Sequence, residues 1–220
     1  MKFEWRFLSV IVPAAFLLLS GCADSKNPLC DPQTSKADER LLGVWRERDE
    51  DGGVTYYHVG RVGKKLPGGM MWAVFVQHNK REVELPGVWL IFPTILGGKS
   101  YLNLTDASRQ RLNLLKEKGW KPEADDHYFI LKYQVQGDTL LLSSMDKDAK
   151  ERAIKGGKIK GAIEKDEGKW VDRVEFTDST ENVARLVAEA GDSLFSKEQV
   201  RRLERVDAAK KPQISDRRMK

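Results

Sequence analysis

A chain of 220 residues with only two cysteines has no disulfide framework to rely on, and it needs none. One domain of this length buries about two thirds of the surface its unfolded chain exposes. The net charge of +5 is concentrated at the ends, with Arg201, Arg202, Arg205, Lys210, Lys211, Arg217, Arg218 and Lys220 outweighing Glu204, Asp207 and Asp216. Lys2 and Arg6 against Glu4 add a small basic excess at the start, so the body between is close to neutral and offers no field for nucleic acid.

Residues 1 to 21 begin with Lys2 and Arg6, continue as an apolar run from Phe7 to Leu19 and end in small residues. That order is the layout of a secretory signal, and the run, interrupted by Pro13, is too short for a membrane span of roughly 20 residues. The closing residues Leu19-Ser20-Gly21-Cys22 resemble the lipobox of bacterial lipoproteins. The resemblance implies cleavage after Gly21, lipid on Cys22, and a protein held to a membrane of the cell envelope. Ala23 follows the cysteine, and by resemblance to enteric lipoproteins the absence of Asp there favours the outer membrane.

Residues 22 to 40 are polar, contain Pro28 and Pro32, and read as a lipid-anchored flexible tether that would reach roughly 25 Å as a coil. Cys30 lies in it without an intramolecular partner, because Cys22 is committed to lipid. Residues 41 to 206 read as a single α+β domain, and residues 207 to 220 as a basic disordered tail.

The domain opens at residues 41 to 46, where Gly43-Val44-Trp45 resembles the Gly-x-Trp of lipocalin-like barrels. The resemblance implies that Trp45 closes one barrel end and that a basic residue near the chain end, Arg202 or Arg205, packs over its ring. Strands follow at residues 54 to 62, 70 to 78, 85 to 93 and 101 to 104, separated by Gly- and Pro-rich turns such as Gly97-Gly98. Residues 127 to 135 and 139 to 143 flank Gln136-Gly137-Asp138, a hairpin signal, and residues 170 to 177 read as the last strand. Seven or eight strands joined by short turns predict an antiparallel meander sheet or β-barrel-like domain.

Helices are inserted or appended. Asp106 caps a helix over residues 107 to 118 and Asp146 a shorter one to Ile154; Asp178 with Glu181 makes a capping box for residues 179 to 190, stopped by Gly191. Ser196 with Gln199 repeats the pattern for a final helix that would bury Val200 and Leu203.

Chemistry is sparse. His58, His78 and His127 are far apart and form no metal-ligand spacing, no Gly-x-Ser-x-Gly elbow is present, and Gly97-Gly98-Lys99-Ser100 lacks the rest of a phosphate-binding loop. The acids of Asp49-Glu50-Asp51 and Asp125-Asp126 sit in turns and read as solvated. No catalytic set, metal site or cofactor is therefore expected.

Aromatics carry the remaining hint: Trp45, Tyr56, Trp72, Trp89 and Tyr133 all fall on expected strands and are the candidates to line a cavity if the sheet closes. The expected function is a non-catalytic binding or assembly module of the envelope, with a partner protein there. The alternative is a lipocalin-like carrier of a lipid or small apolar ligand. The bulk of these aromatics favours the first.

Overall fold

The computed structural model describes residues 24–48, 52–63, 66, 68–77, 83–108, 112–113, 120, 126–164 and 173–206. The signal segment with Cys22, His78, the acids at 49 to 51 and the basic tail lie outside these residues, as do eight of the twelve residues of the helix expected at 107 to 118.

Alternation of inward and outward side chains builds the strands. They are β1 (Gly43–Arg48), β2 (Val54–Arg61), β3 (Met70–Gln77), β4 (Val83–Leu96), β5 (Lys99–Asp106), β6 (Phe129–Gln136) and β7 (Thr139–Met145). After helix α1 (Lys147–Lys155) come β8 (Gly161–Glu164), β9 (Arg173–Phe176), helix α2 (Thr180–Ala190) and β10 (Phe195–Arg205). Eight of the strands close an antiparallel barrel in the order β1-β10-β7-β6-β5-β4-β3-β2, and β8 and β9 form a separate two-stranded ribbon. The expectation of an α+β, barrel-like domain is met.

Tight turns set the register. Gly97 and Gly98, at φ 55° and 74°, are the two central residues between Leu96 and Lys99, the left-handed pair that a two-residue hairpin requires. The helix caps form almost as read. The Asp146 carboxylate accepts from the Ala149 N–H, and Ser179, one residue beyond the expected Asp178, caps α2 through the Asn182 N–H. Val183, Leu186 and Val187 then face the barrel, and Gly191 ends the helix.

The core has three parts. Inside the barrel Trp45, Tyr57, Trp72, Ile91, Leu102, Leu104, Leu142 and Leu203 pack together. Outside it, Tyr101, Ile130 and Phe195 are covered by α1, α2 and Phe176 of β9. On another outer face Leu90 and Phe92 pack with Trp120 and Tyr128. The outer faces of β4, β5, β6 and β10 are thus covered as well, which explains why β4 reads as a nearly continuous apolar run; β3 alternates buried and half-buried residues.

Three expectations are corrected. Residues 195 to 205 are a strand, not a helix: Arg201, Leu203 and Arg205 alternate inward against exposed Val200, Arg202 and Glu204. The local Ser196–Gln199 hydrogen bond does form at 3.0 Å, but it bends the strand where its register against β7 shifts. Without this strand β1 and β7 would be open edges, so barrel closure overrides the local helix signal. Residues 173 to 176, read as the last strand of the sheet, instead pair with β8 in the outer ribbon.

The third correction concerns the polar tether. Residues 24 to 41 lie against the barrel as a strap, with Ser25 and Leu29 buried and Ser25 bridged to both Tyr128 and Phe176. Asp24 forms a buried ion pair with Lys150 at 2.5 Å and accepts the Ile130 N–H at 2.8 Å. Backbone bonds, one buried charge pair and the buried side chains of Leu29 and Leu41 hold a segment that is otherwise polar.

Candidate functional site

One barrel end is closed by the residues that the Gly-x-Trp resemblance singled out. Trp45 is fully buried, its indole N–H donates to the Leu41 carbonyl at 2.8 Å, and the Arg205 guanidinium lies 4.1 Å from its ring centre. Arg205 also donates to the carbonyls of Leu42 at 2.8 Å and Arg40 at 2.6 Å. Gly43 sits at φ 117°, and a Cβ there would come within 3.2 Å of the Arg205 side chain, so glycine is needed for both conformation and space. Of the two basic candidates Arg205 takes this place; Arg202 is outside, near Thr139.

Register decides which aromatics face inward. Trp45 pairs with Tyr57, Tyr57 with Val74, and Trp72 with Trp89, which puts Trp45, Tyr57, Trp72 and Trp89 on the inner face; Tyr133, opposite Leu142, joins them from β6. Tyr56, expected to line a cavity, points outward and Tyr57 occupies the inner position. The shift is a single residue in a period-two pattern, which sequence alone does not resolve where both neighbours are tyrosine. Trp45, Tyr57, Trp72, Leu102 and Leu142 are all under 5% exposed, so this part of the interior is filled by side chains.

Two polar features sit inside. Arg201 donates from Nε to the Glu47 carboxylate at 3.0 Å and contacts the Tyr57 hydroxyl, and its guanidinium stacks over the Tyr57 ring. Tyr57 stacks edge-on against Trp72 at 5.4 Å, and the buried Trp72 indole N–H meets no acceptor among the described residues. The sequence signal for Arg201 was its place two residues before Leu203, concealed once the segment was read as helical.

Where the strap crosses the end of β4 it leaves a pocket of about 550 Å³, lined by Cys30, Ser35, Lys36, Asp38, Ile95 and Tyr133 among others. Ser35 donates to the Pro93 carbonyl at 2.8 Å, Asn103 takes the Leu29 N–H, and Thr94 donates to the Cys30 sulfur, so the strap side of the pocket is fastened. Tyr133 donates to Asp38 at 2.8 Å. Burial pushes the Asp38 carboxyl up, but hydrogen bonds from Arg40 and Tyr133 outweigh it and hold the group below its ordinary value. Burial also raises the Tyr133 phenol and the Cys30 thiol, so both stay protonated at neutral pH. Ile95, on the rim of this pocket, is 71% exposed.

The two described histidines, His58 and His127, do not converge. His58 is exposed and stacks on Phe75 at 4.9 Å, while His127 lies 2.5 Å from the buried Glu175 carboxylate and 3.0 Å from the Lys26 amine, joining the strap to β9. Among the described residues no cluster of three metal-ligating side chains occurs, and no helix is long and apolar enough to cross a membrane.

Comparison with known proteins yields no matching family model, no matching curated protein and no matching solved structure.

Proposed function

We propose that this chain is a bacterial cell-envelope lipoprotein, anchored through acyl chains on Cys22, whose barrel is a non-catalytic module that binds another envelope protein. The lipobox Leu19-Ser20-Gly21-Cys22 supports the anchor, and Ala23 after it favours the outer membrane. The observation that carries the binding role is Ile95, 71% exposed on the rim of the strap pocket beside Pro93 and Tyr133. An apolar rim beside a concave, partly apolar pocket is the form of a site that receives a partner's side chain.

A photo-crosslinking amino acid at position 95 of the full-length protein, expressed in its own envelope, tests this. One discrete protein adduct, lost on Tyr133→Ala, is the expected result. No adduct from a correctly membrane-localised protein would overturn the partner reading.

A second reading, a lipocalin-like carrier, is favoured by one relationship: the closed barrel has Trp45 under Arg205 at its floor, as the Gly-x-Trp resemblance implies. The filled interior around Trp72 and Tyr57 leaves an apolar ligand little room there, which ranks it second. Native mass spectrometry of the protein from envelope extract decides between them. A stoichiometric apolar adduct would put the carrier first, and a clean mass would leave the partner-binding module.

A further inference from the structure

We infer that the barrel lies directly on the lipid headgroups, presenting the face around Asp24 that carries Lys26, Lys155, Lys158 and Lys160, instead of standing off on a tether. The inference rests on the lipid anchor proposed at Cys22. Its geometry comes from the strap. Asp24, two residues beyond Cys22, is held by four hydrogen bonds or ion pairs: its N–H to the Tyr128 carbonyl at 2.8 Å, its carbonyl to the Phe176 N–H at 2.9 Å, and its carboxylate to Ile130 and Lys150; Ser25 donates to the Tyr128 carbonyl beside it. Two residues span at most about 7 Å, so an anchor at Cys22 brings the bilayer surface to that distance of Asp24. A free linker over residues 22 to 40 would instead have allowed roughly 25 Å.

The chemistry of the surrounding face suits headgroup phosphates. Lys26 donates its N–H to the Phe176 carbonyl and the next residue, Thr177, donates to the Lys160 carbonyl, which places Lys160 beside the strap's entry. Lys155, Lys158 and Lys160 are exposed at the end of α1 and in the turn after it. Glu151 pairs with Lys155, and Asp178 accepts the Lys160 N–H, so among these described residues four lysines stand against two carboxylates. Anionic headgroups attract such lysines within a Debye length of the surface.

The test uses the full-length lipidated protein in vesicles of phosphatidylethanolamine and phosphatidylglycerol. Lys160→Cys, in a Cys30→Ser background, carries a fluorophore, and headgroup-nitroxide lipids serve as quenchers. A second form inserts twenty Gly/Ser residues between Ala23 and Asp24, which adds a coil of roughly 25 Å without touching the fold. At 0.5 M salt, where charge attraction is screened, quenching in the native-length protein should exceed that in the inserted form several-fold. Equal quenching in two forms that both carry fatty acid on Cys22 would overturn the inference alone. Absence of fatty acid on Cys22 would overturn the anchoring reading and this inference with it.

Discussion

Arg205 lies over the face of Trp45 with its guanidinium 4.1 Å from the ring centre, joining the last barrel strand to the first. The same guanidinium bonds the Leu42 and Arg40 carbonyls, so one side chain seals the barrel seam, covers its floor and fixes the turn leading into β1. Arg205→Ala should cost about 2–3 kcal/mol, the sum of a partly buried cation–π contact and charge-assisted hydrogen bonds. Arg205→Lys should recover less than half, since an ammonium cannot span both carbonyls while stacking. Urea unfolding midpoints check both, and a neutral Arg205→Ala would show that the seam is held elsewhere.

The strap depends on a buried charge pair. The Asp24 and Lys150 side chains are only 9% and 6% exposed. Lys150→Met should destabilise by about 3–5 kcal/mol because it leaves a carboxylate buried without its partner. Asp24→Asn with Lys150→Met should restore most of this, since Asn keeps an acceptor for the Ile130 N–H. A double-mutant cycle reads the coupling, and additive losses would contradict it.

Asp178 predicts a pH effect. A hydrogen bond from the Asn182 side chain, then those from the Lys160 and Ser179 N–H groups, lower its pKa from 3.8 to about 2. A folded value below the unfolded one means the stabilisation is complete above about pH 4 and is lost as pH falls through about 2. The difference in stability between wild type and Asp178→Ala should therefore be constant near neutrality and shrink toward pH 2. A gap that persists unchanged at pH 2 would be inconsistent with this origin.

Cys30 should be a slow thiol. Burial raises its pKa, so little thiolate is present at pH 8, and alkylation by iodoacetamide should be at least several-fold slower than that of a cysteine peptide. Thr94→Val removes the hydroxyl that lowers the value and should slow the reaction further. Peptide-like reactivity would mean that the strap opens readily at this point.

Much of the fold could be read locally. The alternation of Phe129, Leu131, Tyr133 and Val135, the Gly97-Gly98 turn and the Asp146 cap each act within a few residues, so their signals survive in the bare sequence. The candidate site was less legible. Its strap, from Leu29 to Arg40, reads as solvent-exposed because its bonds run to Asn103, Pro93 and Tyr133, none of them near it in the chain.

The Gly-x-Trp resemblance implied that a late basic residue covers Trp45, while the bare sequence determined the strand-rich class, the hairpin turns and the starts of the helices at residues 147 and 180. These follow from side-chain period, backbone freedom at glycine and local hydrogen bonding. Only the tertiary structure decided that Tyr57 and not Tyr56 faces inward, that residues 24 to 41 pack, and that residues 195 to 205 extend as a strand. The reason is common to all three. Register, strap binding and closure are set by partners distant in sequence, and unpaired strand edges at β1 and β7 would cost more than a single helix cap returns.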